Sequence, residues 1–340
     1  MATQSIPAAS DYSELRRLII ERGLLEPQRA YYWFKSIVAL VCLAAAAVVA
    51  VVATHPAILI ADAVFMGFAF TQVALLAHDT GHRQSFRGAR SAAVARFVLG
   101  PCLLGISQSW WVEKHNLHHA APNHVEKDPD IRLPFLAFST GAETSKQSVF
   151  KPFFTTATLF FLVLLPFQAL NMRFSSVGHL FQKGAPNPLV QAFGMALHFA
   201  FYGLLLSAIA GWEMALVFAL VHHATFGVYN SSVFATNHKG MPLMEGDDRL
   251  DFFREQVLTT RNLHGHPFTD FWCGGLNYQI EHHLFPTMPR KNLRQAQLIV
   301  RAFCEERAVP YHATSMFTSY REALSNLRWA RSLRAEQAVA

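Results

Sequence analysis

Long uncharged stretches decide what this chain can fold into. Asp, Glu, Lys and Arg are all absent from Ser36 to Thr54, Phe97 to Val112, Pro152 to Met172, Gly184 to Trp212 and Met214 to Asn237. A helix crosses the hydrocarbon of a bilayer in about 20 predominantly apolar residues, and most of these stretches reach that length. Of the 340 residues, 52% are hydrophobic and only 15% charged, against roughly 25% charged in ordinary soluble domains. An integral membrane protein is expected. The first stretch begins too far from Met1 to belong to a signal peptide, and Asp11, Glu14 and Glu21 are foreign to a transit peptide. The N-terminal segment is therefore read as retained.

The 29 basic and 23 acidic residues leave a net charge of +6, with Lys and Arg lying between and beyond the apolar stretches rather than in one run. That distribution orients membrane segments and argues against a nucleic-acid partner. Arg16, Arg17, Arg22 and Arg29 precede the first stretch and predict a cytoplasmic N-terminus. Ser36 to Thr54 and Pro56 to Ala77 meet at His55-Pro56, as in a helical hairpin whose turn lies at the outer face, where Asp62 reaches headgroups. Phe97 to Val112 is short and broken by Gly100-Pro101, so it lies in the interface or re-enters from the cytoplasmic side, anchored by Trp110 and Trp111.

Charge also separates the later stretches. The turn before Glu213 has no Lys or Arg, whereas Arg173 follows Met172 and Lys183 follows soon after. Residues 188–210 and 213–236 are predicted as the second spanning hairpin, and 152–172, with Pro166 inside, as an in-plane or half-inserted helix. Beyond Asn237 the chain is polar, with a helix expected near 319–337. The fold class expected is an all-α integral membrane protein with four transmembrane helices in two hairpins, in-plane helices and a cytoplasmic helical cap. Its organisation is read as a cytoplasmic leader (1–33), a membrane domain (34–315) and a C-terminal helical tail (316–340).

Cys42, Cys102, Cys273 and Cys304 form no CxxC pair and are expected to be reduced. Histidine is the unusual residue, with 17 copies, many of them clustered as His78-Asp79-Thr80-Gly81-His82, His115-Asn116-Leu117-His118-His119 and Gln279-Ile280-Glu281-His282-His283. Spacings of three and four residues put side chains on one helical face, about 5–6 Å apart at Cβ. Neutral imidazoles suit iron, zinc, copper or nickel and exclude magnesium and calcium. The predicted topology brings all three clusters to one side of the membrane. Seven imidazoles exceed the three protein ligands of a catalytic zinc, so two metal ions follow more naturally.

In this order, and separated by membrane helices, HDTGH, HNLHH and QIEHH resemble the three histidine boxes of the membrane fatty acid desaturases. HHAAPNHVEKDPDI (118–131) and LNYQIEHHLFPTMPR (276–290) resemble the acyl-CoA and front-end branch, in which glutamine opens the third box. The likeness covers about residues 30–315. It implies a non-haem di-iron centre holding two iron ions (Fe2+), which uses dioxygen and two externally supplied electrons to put a cis double bond into a fatty acyl-CoA or acyl-lipid. The ligands it implies are His78, His82, His115, His118, His119, His282 and His283, with an eighth, His238, at the end of the last spanning helix. Gln279 shares the face of His282 and His283 and either ligates weakly, acts through water or only hydrogen-bonds. Asp79, Asn123, Asp128, Asp130 and Glu281 are candidates for orienting imidazole N–H groups.

The Glu-x-x-His signature of soluble di-iron bundles is absent. So is any Gly-rich flavin or nicotinamide fingerprint, and 33 leading residues are too few for a fused cytochrome b5 domain. Electrons are expected from a separate ferredoxin, cytochrome b5 or flavoprotein reductase docking on the basic cytoplasmic face. The expected setting is a bacterial cell membrane, or the endoplasmic reticulum of a eukaryote, with the site on the cytoplasmic side. The alternatives are a lipid hydroxylase or ketolase of the same histidine-box superfamily, and a membrane metal-binding protein without oxidative chemistry. His222 and His223, in mid-membrane, are read as satisfied core histidines or a replacement ligand. Arg290, Lys291 and Arg294 are read either as a site for a phosphate-bearing headgroup or coenzyme A or as a solvated helix face.

Overall fold

The computed structural model describes residues 10–86, 88–131, 136–138, 156–234, 236–246 and 250–329. Helix α1 (Asp11–Glu21) starts at Ser10, whose hydroxyl accepts the Ser13 N–H at 3.3 Å, with Asp11 and Glu14 in the first turn, where the helix dipole favours anions. α2 (Arg29–Val52) and α3 (Pro56–Gly81) form the first hairpin. Pro56 opens α3 at a position that needs no N–H donor, and the His55 ring accepts the Ala57 N–H at 3.2 Å. α4 (Ala89–Phe97) runs into a π-helical stretch (Val98–Leu104) around Pro101 and ends at left-handed Gly105. α5 (Gln108–Ala120), capped by Ser107, leaves at 106° to that limb. The re-entrant reading of Phe97 to Val112 corresponds to this bend.

α6 (Thr156–Leu164) and α7 (Gln168–Leu180) flank a 3-10 turn (Leu165–Phe167) that contains Pro166. α8 (Pro188–Ala208) and α9 (Trp212–Phe234) make the second hairpin, turning at Gly211, whose φ of 87° suits a residue without Cβ. The cap contains α10 (Phe252–Leu258), α11 (Pro267–Trp272), α12 (Gln279–Leu284), α13 (Arg290–Glu306) and α14 (Met316–Ser325). Two small sheets complete it. β1 (Leu136–Phe138) pairs antiparallel with β4 (Leu327–Trp329), and β2 (Asn262–Leu263) pairs parallel with β3 (Ala313–Thr314).

Apolar exposure identifies the membrane helices. Leu189 is 84% exposed and Phe201 67%, and α2 presents Trp33, Phe34, Ile37, Val41 and Val48 outward. Apolar area of that extent is stable only against lipid or a partner. The protein is a multi-pass membrane protein. Among the described residues, four helical segments are long and apolar enough to span: Arg29–Val52, Pro56–Gly81, Thr156–Leu180 and Pro188–Ala208.

Packing refines that count. α9 is not among the four, because His222, His223 and Asn230 lower its apolarity, yet it runs parallel to α3 along its length. Phe70 meets Phe226, Gln72 meets Tyr229, and His78 meets Phe234, in rising order on both helices. His222 and Asn230 are buried rather than facing lipid. The segment 156–180, by contrast, has both ends near the cap: Thr158 donates to the Leu324 carbonyl at 3.2 Å, and the His179 ring lies 3.9 Å from Glu113. Its middle meets Gly227, about seven residues or 10 Å below the end of α9 at 1.5 Å per residue. It enters and returns, which corresponds to the half-inserted reading of 152–172. The helical part extends to Leu180, and residues 152–155 lie outside those described.

Two expectations need correction. The helix read near 319–337 ends at Ser325, because Asn326 turns its side chain back to the Glu322 carbonyl and Leu327 enters the core as part of β4; residues 330–337 lie outside those described. Asp62 is buried within α3 instead of reaching headgroups. The leader packs into the cap, where Leu15 and Ile19 join Leu293, Ala296, Val300 and Phe303 of amphipathic α13, and Arg307 pairs with Asp11 and Glu14.

Gly227 is where α9 lets the half-inserted segment approach, since a Cβ there would sit 2.6 Å from the Leu165 and Pro166 carbonyl oxygens. Gly227→Ala is expected to destabilise by about 1–3 kcal/mol through overpacking against backbone. Gly178→Ala, facing open space on α7, should be neutral or slightly stabilising. Thermal unfolding of both variants in the same detergent checks the contrast.

Candidate metal centre

Parallel α3 and α9 deliver their C-terminal ends to one place, and the histidines gather there. The last turn of α3 presents His78 and His82 four residues apart. α5 presents His115, His118 and His119. On α12, Ile280 and Leu284 point into the cap core while Gln279, His282 and His283 point the other way. His238 follows α9 at once. His78, His82, His115 and His282 bring ring nitrogens within 4.8 Å of one another, and His118, His238 and His283 do the same. His119 lies between the groups, with Nε2 3.1 Å from His115 Nε2 and its ring stacked on His283 at 4.1 Å. A third convergence joins His118 to Asp128 and Asp130.

Burial, and secondly the neighbouring rings, holds His82, His115, His119, His238, His282 and His283 well below the ordinary imidazole value. They are neutral, the form that offers a lone pair to a metal. Nitrogens of His78, His82, His119, His238, His282 and His283 are buried without a hydrogen-bond partner. Unsatisfied buried nitrogens are costly in a finished core, and two close groups of them fit a pair of nitrogen-ligated metal ions.

The residues around the rings fix their orientation. Asp79 contacts His78 Nδ1 at 3.2 Å and is itself paired with Arg290, which also donates to the Leu75 carbonyl at 2.6 Å. Asp128 accepts from His118 Nδ1 at 2.9 Å and from the Asn123 N–H at 2.8 Å. Gln279 sits 3.0 Å from His238 Nε2, and its carbonyl accepts from Asn237 at 3.1 Å. Asp130 pairs with Lys114 and lies 3.7 Å from His118 Nδ1.

Two of the five N–H-orienting candidates touch no imidazole. Asn123, at φ 58°, donates to the His238, Pro242 and Thr259 carbonyls and so positions the backbone that carries His238. Glu281 faces away, accepting from Asn262 at 2.7 Å and from the Tyr311 hydroxyl at 2.8 Å, with its carboxyl pushed up to about 7 by burial. Arg290 is buried on Asp79 instead of lying open to a headgroup. Lys291 and Arg294 stay exposed. His222 donates to or accepts from Tyr202 at 2.8 Å. It lies 12 residues, about 18 Å of helix, before the end of α9 at Phe234, which removes it from the centre.

Gln256 belongs to no motif in the sequence. Fully buried on α10, it accepts the His283 Nδ1 proton at 2.9 Å and donates to the His119 carbonyl at 3.3 Å, joining the second and third clusters. Nothing in its local spacing relates it to either box. A cavity of about 520 Å³ opens beside the rings, within the roughly 300–1,000 Å³ usual for small-molecule sites. His78, His115, His118, His238 and Gln279 line one end. Ala74, Leu104, Phe160, Phe161, Leu164 and Met172 supply apolar wall, and Gln168, Asn171 and Asn230 line it too.

A membrane protein with clustered neutral imidazoles beside an apolar cavity is thus the class defined by fold and site. Residues 53–315 match the Fatty acid desaturase family model. The chain is 32% identical to an acyl-lipid (9-3)-desaturase of Physcomitrium patens, over 96% of this chain and 64% of that protein. It is 29% identical to the Delta(6)-fatty-acid desaturase fat-3 of Caenorhabditis elegans, over 93% and 74%, and 33% identical to the Delta(5) fatty acid desaturase fat-4 of the same organism, over 76% and 61%. The chain belongs to the fatty acid desaturase family. It spans about three fifths to three quarters of the length of these relatives.

Arg290→Met should destabilise strongly, by about 3–5 kcal/mol, because it strands a buried carboxylate. Adding Asp79→Asn should restore most of that loss and retain an acceptor for His78. Chemical unfolding of the two variants in detergent tests the pair, and equal stability of R290M and wild type would refute the assignment.

Proposed function

We propose that this protein is a membrane-bound fatty acyl desaturase, converting two adjacent methylenes of an acyl chain, carried by coenzyme A or by lipid, into a cis double bond. The observation that carries the reading is the pair of buried imidazole groups beside a largely apolar cavity. Relatives named for Delta(5), Delta(6) and Delta(8) desaturation support it. His78, His82, His115, His118, His119, His238, His282 and His283 would hold two iron ions, which when bound supply the activation of dioxygen that an unreactive C–H bond requires. Overall, dioxygen takes two electrons from the acyl chain and two from a donor and, with two protons, leaves as two waters.

The chain's own residues do the rest. Asp79, Asp128 and Gln256 fix the His78, His118 and His283 rings through Nδ1, leaving Nε2 to the centre. Leu104, Phe160, Phe161 and Leu164 exclude water and hold the methylenes against the rings. Position matters most, because a saturated chain offers no functional group to grip. Gln279, held by Asn237, stands with its amide nitrogen against His238 Nε2 at the edge of the centre. The cap lies on the cytoplasmic side, as Arg16, Arg17, Arg22 and Arg29 before the first span require. A ferredoxin, cytochrome b5 or flavoprotein reductase type of donor reaches it there.

Expression in a lipid-producing host should yield a new double bond, located by mass spectrometry, without hydroxylated product. His118→Ala and His283→Ala should each insert normally and give no unsaturated product. Hydroxylated chains would favour the hydroxylase alternative, and metal binding without dioxygen consumption would exclude both enzymes. Gln256→Leu should lower metal affinity about 10–100-fold, as loss of a ligand's hydrogen-bond partner does, measured as metal retained per chain under competing chelator.

A further inference from the structure

The cavity wall carries two ammonium groups that removal of hydrogen does not require. Lys114, beside His115 on α5, and Lys239, beside His238, both line it. They arrive from different elements and converge on one residue. Lys114 pairs with the Asp130 carboxylate, and Lys239 Nζ donates to the Asp130 carbonyl oxygen at 2.6 Å. The neighbouring Asp128 is engaged elsewhere: Oδ2 accepts from His118 and the Asn123 N–H, and Oδ1 from the Asp130 N–H. The Lys114 side chain is 36% exposed and that of Asp130 30%, so the cavity admits a polar group here, while Ala74, Leu104, Phe160, Phe161 and Leu164 give it apolar wall.

We infer that Lys114 and Lys239 bind the phosphate of the carrier to which the acyl chain is attached, with Asp130 holding the two ammonium groups in place until that anion arrives. The inference rests on the acyl-modifying function proposed above and deepens it. A lysine is a point-charge binder suited to phosphate, and the partly dry cavity wall strengthens the attraction relative to open water. Orientation follows from position. The lysines adjoin His115 and His238 in sequence, and Asp130 Oδ2 lies 3.7 Å from His118 Nδ1. A carrier held there places the carboxyl end of the chain beside the imidazoles and sends the methyl end past Leu104 and Met172. Glycerophospholipids and coenzyme A both supply phosphate.

Trp110 and Trp111 line the same cavity, so energy transfer from indole to a conjugated parinaroyl chain reports binding without turnover. The full-length protein, as purified with its metal, is titrated with parinaroyl phosphatidylcholine, parinaroyl-CoA and parinaric methyl ester. The Lys114→Gln/Lys239→Gln variant should bind a phosphate-bearing probe at least about tenfold more weakly, the loss expected for charged hydrogen bonds. Methyl ester binding should be retained, and the Lys114→Arg/Lys239→Arg variant should bind all probes like wild type. Whichever phosphate probe responds identifies the carrier. Unchanged affinity for both phosphate probes, or equal weakening of ester and phosphate probes, overturns the inference. A wild-type protein that shows the predicted pattern yet forms no double bond would overturn the desaturase reading instead.

Discussion

Imidazole rings packed about 4–5 Å apart in a water-poor cap can coexist only if they stay neutral. His78, His82, His115, His119 and His282 approach in pairs at 4.6 to 5.0 Å between centroids. At an effective dielectric of about 20, two unit charges at about 5 Å repel by roughly 3 kcal/mol, and each proton also carries its own desolvation cost. The surrounding residues respect that constraint. Asp79 is neutralised by Arg290, so it orients His78 without drawing a proton onto the cluster. Gln256 and Gln279 address their rings with neutral amides. Asp128 shares its charge among His118 and two backbone N–H groups.

The same constraint explains why the centre sits where the helices end. α3 and α9 are interchangeable with neither loop nor strand, because only a regular helix carries its backbone through hydrocarbon with every N–H and C=O satisfied. Running parallel, they place His78, His82 and His238 just past the apolar zone. Gly67 permits that closeness: a Cβ there would meet Thr225 Cβ at 2.6 Å and the His222 carbonyl at 2.9 Å. Small residues at the contact between membrane helices serve the same end elsewhere.

Local patterns were legible in the sequence, whereas contacts made across the chain were not. Both hairpins and the half-inserted segment at Pro166 follow from charge, apolar length and helix breakers, whereas the break expected at Gly100-Pro101 falls at Gly105, after a π-helical stretch that accommodates Pro101. The box histidines followed from spacings of three and four residues, and they meet as expected. Gln256 lies 27 residues from His283 and 137 from His119, so no periodic signal marks it. Arg290 failed for a related reason: basic residues in a row suggest a surface, and only the packing of α13 against α3 shows that the first of them is buried on Asp79. Asn123 and Glu281 lie in or near the boxes, but nearness in sequence does not say which way a side chain points.

Under the proposed function, selection of one carbon pair resides in the cavity rather than in the histidines. A ring bound to metal treats every methylene alike, so chemistry alone cannot choose among them. The wall opposite the rings comes from α6 and its 3-10 turn, a segment that enters from the cap and returns to it, held at its deepest point against Gly227. Such a wall can differ in depth from one family member to another without disturbing α3, α5, α9 or α12, which the imidazoles require to stay fixed. The proposed positional specificity and the proposed oxidative chemistry thus fall on different elements, and a change in one leaves the geometry of the other intact.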